Sequence, residues 1–256
     1  MPGTQRQCGG TERLILPLTG QATGLTLVAH SGPSANKDSP NAPEPALEDR
    51  ALMAIEYGLW KLESAMTMTL YGTTPSPFVR RIRLLLDGVD YHFEDVPLYD
   101  DAGRQQYGRI SPIRKVPALE DSGERIFDSH IIHQYLQRKL ALPELTITQY
   151  NQISVIDAVT DSCVILVIGG RSELPVQEDR LLFKLQRERI EDSLQWLEQQ
   201  AIGGAFNDWQ YPTMCLLTMI EWLQFRQLHT FEAYPALLAV QAQYDTLPIV
   251  DATRPG

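Results

Sequence analysis

The sequence predicts a small α/β domain followed by an all-helical domain, the two preceded by a poorly ordered extension. Three observations carry this. Between residues 67 and 127, short alternating apolar stretches are interrupted by helical periodicity; beyond Pro143 only helical periodicity recurs; and Ser31 to Pro45 (SGPSANKDSPNAPEP) is dense in turn-forming residues and offers little to bury. The expected boundaries are 1–65 for the extension, 66–143 for the α/β domain and 144–256 for the helices.

Within the extension, Leu14 to Ala29 has apolar runs broken by Gly and Pro, and Ala46 to Ser64 has a weak helical pattern. Met66 and Met68 directly precede the first strong strand, so a start of synthesis there is one reading of the extension. Thr67 to Tyr71 (TMTLY) alternates and is rich in β-formers, and Gly72 to Pro77 supplies a turn. Phe78, Ile82, Leu85 and Leu86 recur at helical spacing, with Gly88 where a helix-terminating glycine belongs. Tyr91 to Val96 alternates again, and a helical crossover makes the two strands parallel. After a polar stretch read as a loop, Val116 to Leu119 and Arg125 to Phe127 form a hairpin around Glu120 to Glu124. Asp128 and Ser129 are good N-caps for a helix whose apolar face carries Ile131, Ile132, Tyr135 and Leu136. Four further helices are expected over 147–168, 177–199, 212–231 and 234–244.

Composition bounds the function classes. The 256 residues are 43% hydrophobic and 21% charged, with a formal net charge of -10. That charge repels a phosphate backbone unless basic residues segregate onto one face, so nucleic acid is not an expected partner. The basic cluster Arg80, Arg81 and Arg83 sits at helical spacing and reads as a solvated helix face. No apolar run approaches the roughly 20 residues of a membrane span, so no membrane partner is expected. Cys8, Cys163 and Cys215 are far apart, form no Cys-x-x-Cys pair and have no His at metal-ligand spacing, which argues for a reducing compartment and against a metal site. Cys163 and Cys215 fall in apolar helical stretches and read as inert packing. The opening MPGTQRQCGG lacks the apolar core of a secretory signal, so the expected compartment is the cytoplasm.

Four motifs in order resemble the cytosolic glutathione S-transferase superfamily over nearly all of 68–248. Ser76-Pro77-Phe78-Val79-Arg80-Arg81, directly after the first strand, is similar to the Ser-Pro-Phe-Val-Arg motif of bacterial members, where thioredoxin-like folds place Cys-Pro-x-Cys. The run from Ser111 to Leu119 (SPIRKVPAL) is similar to Asn-Pro-x-Gly-Lys-Val-Pro-x-Leu, with Ser111 and Arg114 replacing Asn and Gly. Asp128-Ser129 is similar to the acidic-Ser pair opening the third helix, and Phe231 to Pro235 with Leu247-Pro248 is similar to the closing helix and its trailing proline. Gln210-Tyr211-Pro212-Thr213 stands where members commonly carry a Ser/Thr-x-x-Asp capping box; Asn207 or Asp208 caps in its place, or the helix begins at Pro212.

The resemblance implies a thioredoxin-like N-terminal domain, glutathione as co-substrate, a small electrophile or peroxide as acceptor, and a homodimer. It implies a cis Val116-Pro117 bond, which turns the Val116 N–H and C=O outward to pair with a peptide ligand. It implies that Ser129, at a helix N-terminus, binds the γ-glutamyl carboxylate, that Asp128 or a neighbour takes the amino group, and that Lys115 lies near the glycine end. Ser76 becomes the thiolate donor, with Thr73 and Thr74 as alternatives. Lowering a thiol pKa from about 8.5 to about 6.5 takes roughly 2.7 kcal/mol. A hydrogen bond to a charged group supplies about 1.5–3 kcal/mol and a helix N-terminus up to about 1, so the pair suffices without metal or general base. Serine forms no mixed disulfide, which disfavours thiol exchange and leaves conjugation or peroxide reduction. The alternative is a non-catalytic protein of the same fold that acts as a binding or regulatory partner.

Overall fold

The computed structural model describes residues 68–98 and 100–255. The expectations for the extension lie outside the described residues. The α/β part runs β1 (Met68–Gly72), α1 (Pro77–Leu85), β2 (Tyr91–Asp95), α2 (Asp101–Tyr107), β3 (Ala118–Asp121), β4 (Glu124–Ile126) and α3 (Ser129–Lys139). Five helices follow: α4 (Ile147–Arg171), α5 (Leu181–Ile202), α6 (Tyr211–Phe225), α7 (Pro235–Tyr244) and α8 (Pro248–Ala252). This is the order expected from the sequence, a mixed four-stranded sheet domain followed by a helical C-terminal part.

The four strands lie in the order β2-β1-β3-β4. β1 pairs in parallel with β2, as the helical crossover requires, and antiparallel with β3, with Leu70 opposite Leu119 and Tyr71 opposite Ala118. One sheet face carries Met68, Leu70 and Leu119 into a core shared with Val79 and Ile82 of α1 and Ile132 and Leu136 of α3. The other face sets Ala118 against Val96 and Tyr107 of α2. Gly72 ends β1 where the backbone must approach α1 closely: a Cβ there meets Val79 Cγ1 at 2.5 Å.

Several expectations are corrected. The polar stretch read as a loop contains α2, capped by Asp100, whose carboxylate accepts from the Gly103 N–H at 2.6 Å. Only Gly103 and Tyr107 of that helix are buried, so there is no apolar stripe to betray it. The hairpin strands run on to Asp121 and back from Glu124, leaving a two-residue turn of Ser122 (φ 53°) and Gly123 (φ 82°), the positive-φ pair of a type I′ turn. A short final helix, α8, was not expected.

The helix expected over 212–231 ends at Phe225. Neither Asn207 nor Asp208 caps it with a side chain; Gln210 is the N-cap residue, without a side-chain bond, and Pro212 occupies the first turn. The Thr213 hydroxyl donates instead to the Asp208 carbonyl at 2.7 Å. α4 begins with a full capping box between Thr146 and Gln149. By length and mean hydropathy, 1.8 over its best window, α4 is apolar enough to cross a membrane, although Gln152, Asp157 and Asp161 keep it from being the unbroken apolar run whose absence the sequence showed. Its buried Ile153, Ile156, Val159 and Cys163 belong to the core of the helical part, a sufficient reason for the composition.

Candidate active-site cleft

Ser76 takes its place because β1 ends at Gly72 and a turn closes before α1, with the Ser76 N–H donating to the Thr73 carbonyl at 3.0 Å. Ser76 is the N-cap of α1: its backbone is extended, Pro77 follows at the first helical position, and its hydroxyl accepts from the Val79 N–H at a long 3.4 Å. Among the described residues that hydroxyl donates to nothing. It lies half-buried on the wall of a cleft of about 300 Å³.

Thr73, Pro75 and Phe78 extend the wall on the α1 side. Arg114, Lys115 and Val116 form another wall. Val116-Pro117 is a cis bond, and the segment is held from behind by the Tyr107 hydroxyl, which donates to the Lys115 carbonyl at 2.9 Å. α4 contributes Asp161, Val164, Ile168 and Arg171, spaced about one turn apart along one face, and α6 contributes Trp222, with Arg226 just beyond its end. Both sides of the cleft are therefore mixed: the α/β part sets Thr73, Ser76 and Lys115 beside Phe78 and Val116, and the helices set Asp161 beside Val164, Ile168 and Trp222.

Of the residues predicted from sequence, the structure brings Thr73, Ser76, Lys115 and Val116 to this cleft. Pro117, Asp128 and Ser129 lie outside its lining, Pro117 being buried directly before β3. The Thr74 hydroxyl is taken by Asp95, to which it donates at 2.9 Å. Asp128 caps α3 by accepting from the His130 N–H at 3.0 Å, and Ser129 is 2% exposed, its carbonyl accepting from the Tyr211 hydroxyl at 3.3 Å.

The arginine pair after the cap overturns the expectation of a solvated face. Arg80 and Arg81 are 2% and 0% exposed. Arg81 donates to Asp157 of α4 at 2.6 Å and lies over the Phe78 ring at 4.7 Å, while His130 of α3 binds the other Asp157 oxygen. Burial alone pushes the Asp157 carboxyl up, but the Arg81 charge and the His130 bond hold it below its ordinary value. Arg80 pairs with Glu221 of α6 and donates to the Val250 carbonyl at 3.0 Å and the Thr253 hydroxyl at 3.2 Å. A buried charge survives only when paired, and both partners arrive from helices distant in sequence, so local periodicity gave no sign of them. α1, whose N-terminus carries Ser76, is thereby tied to α4, α6 and the C-terminal turn.

Neither Cys163 nor Cys215 is poised to react: burial pushes both thiols up to about 12. Burial likewise pushes His133 down to about 4, leaving a neutral ring stacked on Tyr211 with centroids 3.8 Å apart. Sequence reasoning missed the α4 and α6 lining residues. Their one signal is the spacing of Asp161, Val164, Ile168 and Arg171, which marks a helix face without saying what it faces.

Comparison with known proteins agrees with this architecture. Residues 66–138 match the family model "Glutathione S-transferase, N-terminal domain". The uncharacterized GST-like protein YibF of Escherichia coli (strain K12) is 30% identical over 175 residues, spanning 63% of this chain and 84% of that protein. Maleylacetoacetate isomerase of Mus musculus is 28% identical over 130 residues, which cover 50% of this chain and 56% of the isomerase. Among solved structures, a glutathione S-transferase from Methylobacillus flagellatus with glutathione bound superposes with a TM-score of 0.66 at 22% identity, over 74% of this chain and 100% of that one. With 84% of the YibF sequence matched at 30% identity, and the sheet order and helical part of the same fold, the chain belongs to the glutathione S-transferase family.

Proposed function

We propose that the protein is a glutathione-dependent transferase in which Ser76 stabilises the glutathione thiolate for attack on a small electrophile. The observation that carries this is the Ser76 hydroxyl: it accepts from a helix N-terminal N–H yet keeps its own proton undonated, at the wall of a cleft that also carries Val164, Ile168 and Trp222. A bound thiol there loses its proton to solvent, and the thiolate is held by the O–H of Ser76 and the partial positive charge of the α1 N-terminus. Sulfur then forms a bond to the electrophilic carbon as the leaving group departs with its electron pair. No step requires Ser76 to be a nucleophile.

The tripeptide is oriented by backbone and caps in this reading. Val116, beside its cis proline, makes no backbone hydrogen bond among the described residues and pairs with the cysteinyl segment. Ser129 at the start of α3 receives the γ-glutamyl carboxylate, Asp128 or a neighbour the amino group, and Lys115 the glycine carboxylate. Glutathione bound in the Methylobacillus relative supports the choice of co-substrate. A homodimer and a cytoplasmic setting are part of the same proposal, by analogy with the family.

Calorimetric titration of the full chain with glutathione tests the binding half. The expected result is one site per chain, weakened about tenfold or more by Ser129→Ala through loss of a charge-assisted hydrogen bond, and little changed by Ser76→Ala. Absence of binding to the wild type would replace the transferase by the non-catalytic reading, a protein of this fold that acts on a macromolecular partner.

A further inference from the structure

A second cleft, of about 340 Å³, lies at the opposite end of α1 from Ser76 and shares no lining residue with the first. The nine residues of α1 rise about 13 Å, so the two clefts are separate places on the molecule. This one is walled by Leu85 at the end of α1, His133 of α3, Leu142 and Leu145 of the link between α3 and α4, Trp209 just before α6, and Met214 near the start of that helix. The α/β part and the helical part both contribute, the kind of junction at which small-molecule sites commonly form, and the volume lies in their usual range.

The polar group built into this cleft is His133. It is 3% exposed and one face of its ring is stacked on Tyr211, yet its ring nitrogens have no hydrogen-bond partner among the described residues. A buried polar group left without a partner is costly. Other unpartnered atoms, Arg81 Nε and His229 Nε2 among them, are sealed from solvent. The His133 nitrogens are not, so the little of this residue that solvent reaches includes its polar edge, at the cleft. Its polar neighbours are already engaged: the Tyr211 hydroxyl donates to the Ser129 carbonyl, and the Gln210 carboxamide oxygen accepts from Gln149 at 2.6 Å. His133 is therefore the group in this lining that a ligand would satisfy.

The chemistry of that ligand follows from the groups around it. Burial keeps the His133 ring neutral, and the nearby His130 and Arg81 oppose a positive charge beside it. Asp87, exposed, is the one carboxylate among the described lining residues and opposes an anion. A neutral molecule suits both ends. A neutral imidazole nitrogen is a hydrogen-bond acceptor and an ionised carboxylate only accepts, so the complement is a hydroxyl donor. We propose that this cleft is a second binding site, for a neutral phenol whose ring lies on Leu85, Leu145, Trp209 and Met214 and whose hydroxyl donates to His133. The proposal is independent of the transferase reading.

The test is calorimetric titration of the full chain with 2-naphthol and with 2-methoxynaphthalene, which keeps the ring system but lacks the donor, in the presence of excess S-hexylglutathione to occupy the Ser76 cleft. The expected result is one 2-naphthol per chain, bound at least about tenfold more tightly than the ether, because the ether leaves the imidazole unpaired. His133→Phe keeps a ring against Tyr211 without the acceptor and is expected to bring the two affinities together. Leu145→Trp fills the cleft while leaving His133 in place and is expected to abolish 2-naphthol binding. Equal affinity for the two compounds, a preference that survives His133→Phe, binding that survives Leu145→Trp, or no binding of 2-naphthol overturns the proposal. Binding of 2-naphthol only when S-hexylglutathione is omitted places it in the Ser76 cleft and overturns it as well. Should one variant fail to fold, the other decides, and both locate the site whether or not the chain binds glutathione.

Discussion

At the scale of single residues, Arg114 shows how a departure from a family pattern becomes a physical question. It replaces the glycine of the resembled motif and adopts φ 51°, in the left-handed region that costs a residue with a Cβ about 1–2 kcal/mol. Part of that cost is offset by packing, since the Arg114 guanidinium lies over Gly108, close enough that a Cβ on Gly108 meets its Nε at 3.1 Å. Arg114→Gly relieves the strain but frees the unfolded chain, so the net gain in unfolding free energy is expected to be about 0.5 kcal/mol in urea denaturation. A loss of 1 kcal/mol or more would show that the side chain's contacts outweigh its backbone strain. Ser76 stands at the other extreme of legibility. Its role as helix N-cap follows from its immediate neighbours, Pro77 after it and a strand before it, so the sequence located it to the residue.

At the scale of elements, what was hidden is the set of contacts that join one helix to another. The run Arg80-Arg81 looks like a solvent-facing charge cluster because periodicity carries no information on Asp157 and Glu221, 76 and 141 residues away. The structure makes these arginines the ties between α1 and the helical part. Removing Arg81 leaves the buried Asp157 carboxylate with His130 alone, so Arg81→Met is expected to lower stability by about 3 kcal/mol. Replacing both, as Arg81→Met with Asp157→Leu, is expected to recover most of that loss, because no uncompensated charge remains. A double variant as unstable as the single one would mean that α1 is held by packing rather than by the pair. α2 was illegible for a different reason. Its sequence DAGRQQY buries only a glycine and a tyrosine, and the glycine is there because a Cβ would meet the Pro97 carbonyl oxygen at 1.9 Å.

At the scale of the whole molecule, the candidate site is a junction. The α/β part supplies Ser76 and the Val116-Pro117 corner from two short, motif-bearing segments, and these were readable because each lies within a few residues of a turn or cap. The helices supply the opposite lining from positions 161 to 226, where sequence spacing defines a face but only the fold decides which cleft it lines. The C-terminal turn completes the arrangement: Arg80 of α1, Glu221 of α6 and Arg254 form one ionic chain, with Glu221 receiving Arg254 at 3.2 Å. The position of the α1 N-terminus, and with it that of Ser76, the proposed thiolate donor, is therefore a property of both parts of the fold.

The most direct measurement of the central claim is a pH titration of the ultraviolet thiolate absorbance of glutathione bound to the wild-type chain and to Ser76→Ala. The account predicts a bound-thiol pKa about one to two units below that of free glutathione in the wild type, returned to near the free value in the variant. An undisturbed thiol in the wild type would contradict glutathione activation outright. An equal depression in both proteins would take the donor role from Ser76 and give it to Thr73 or to the backbone at the α1 N-terminus.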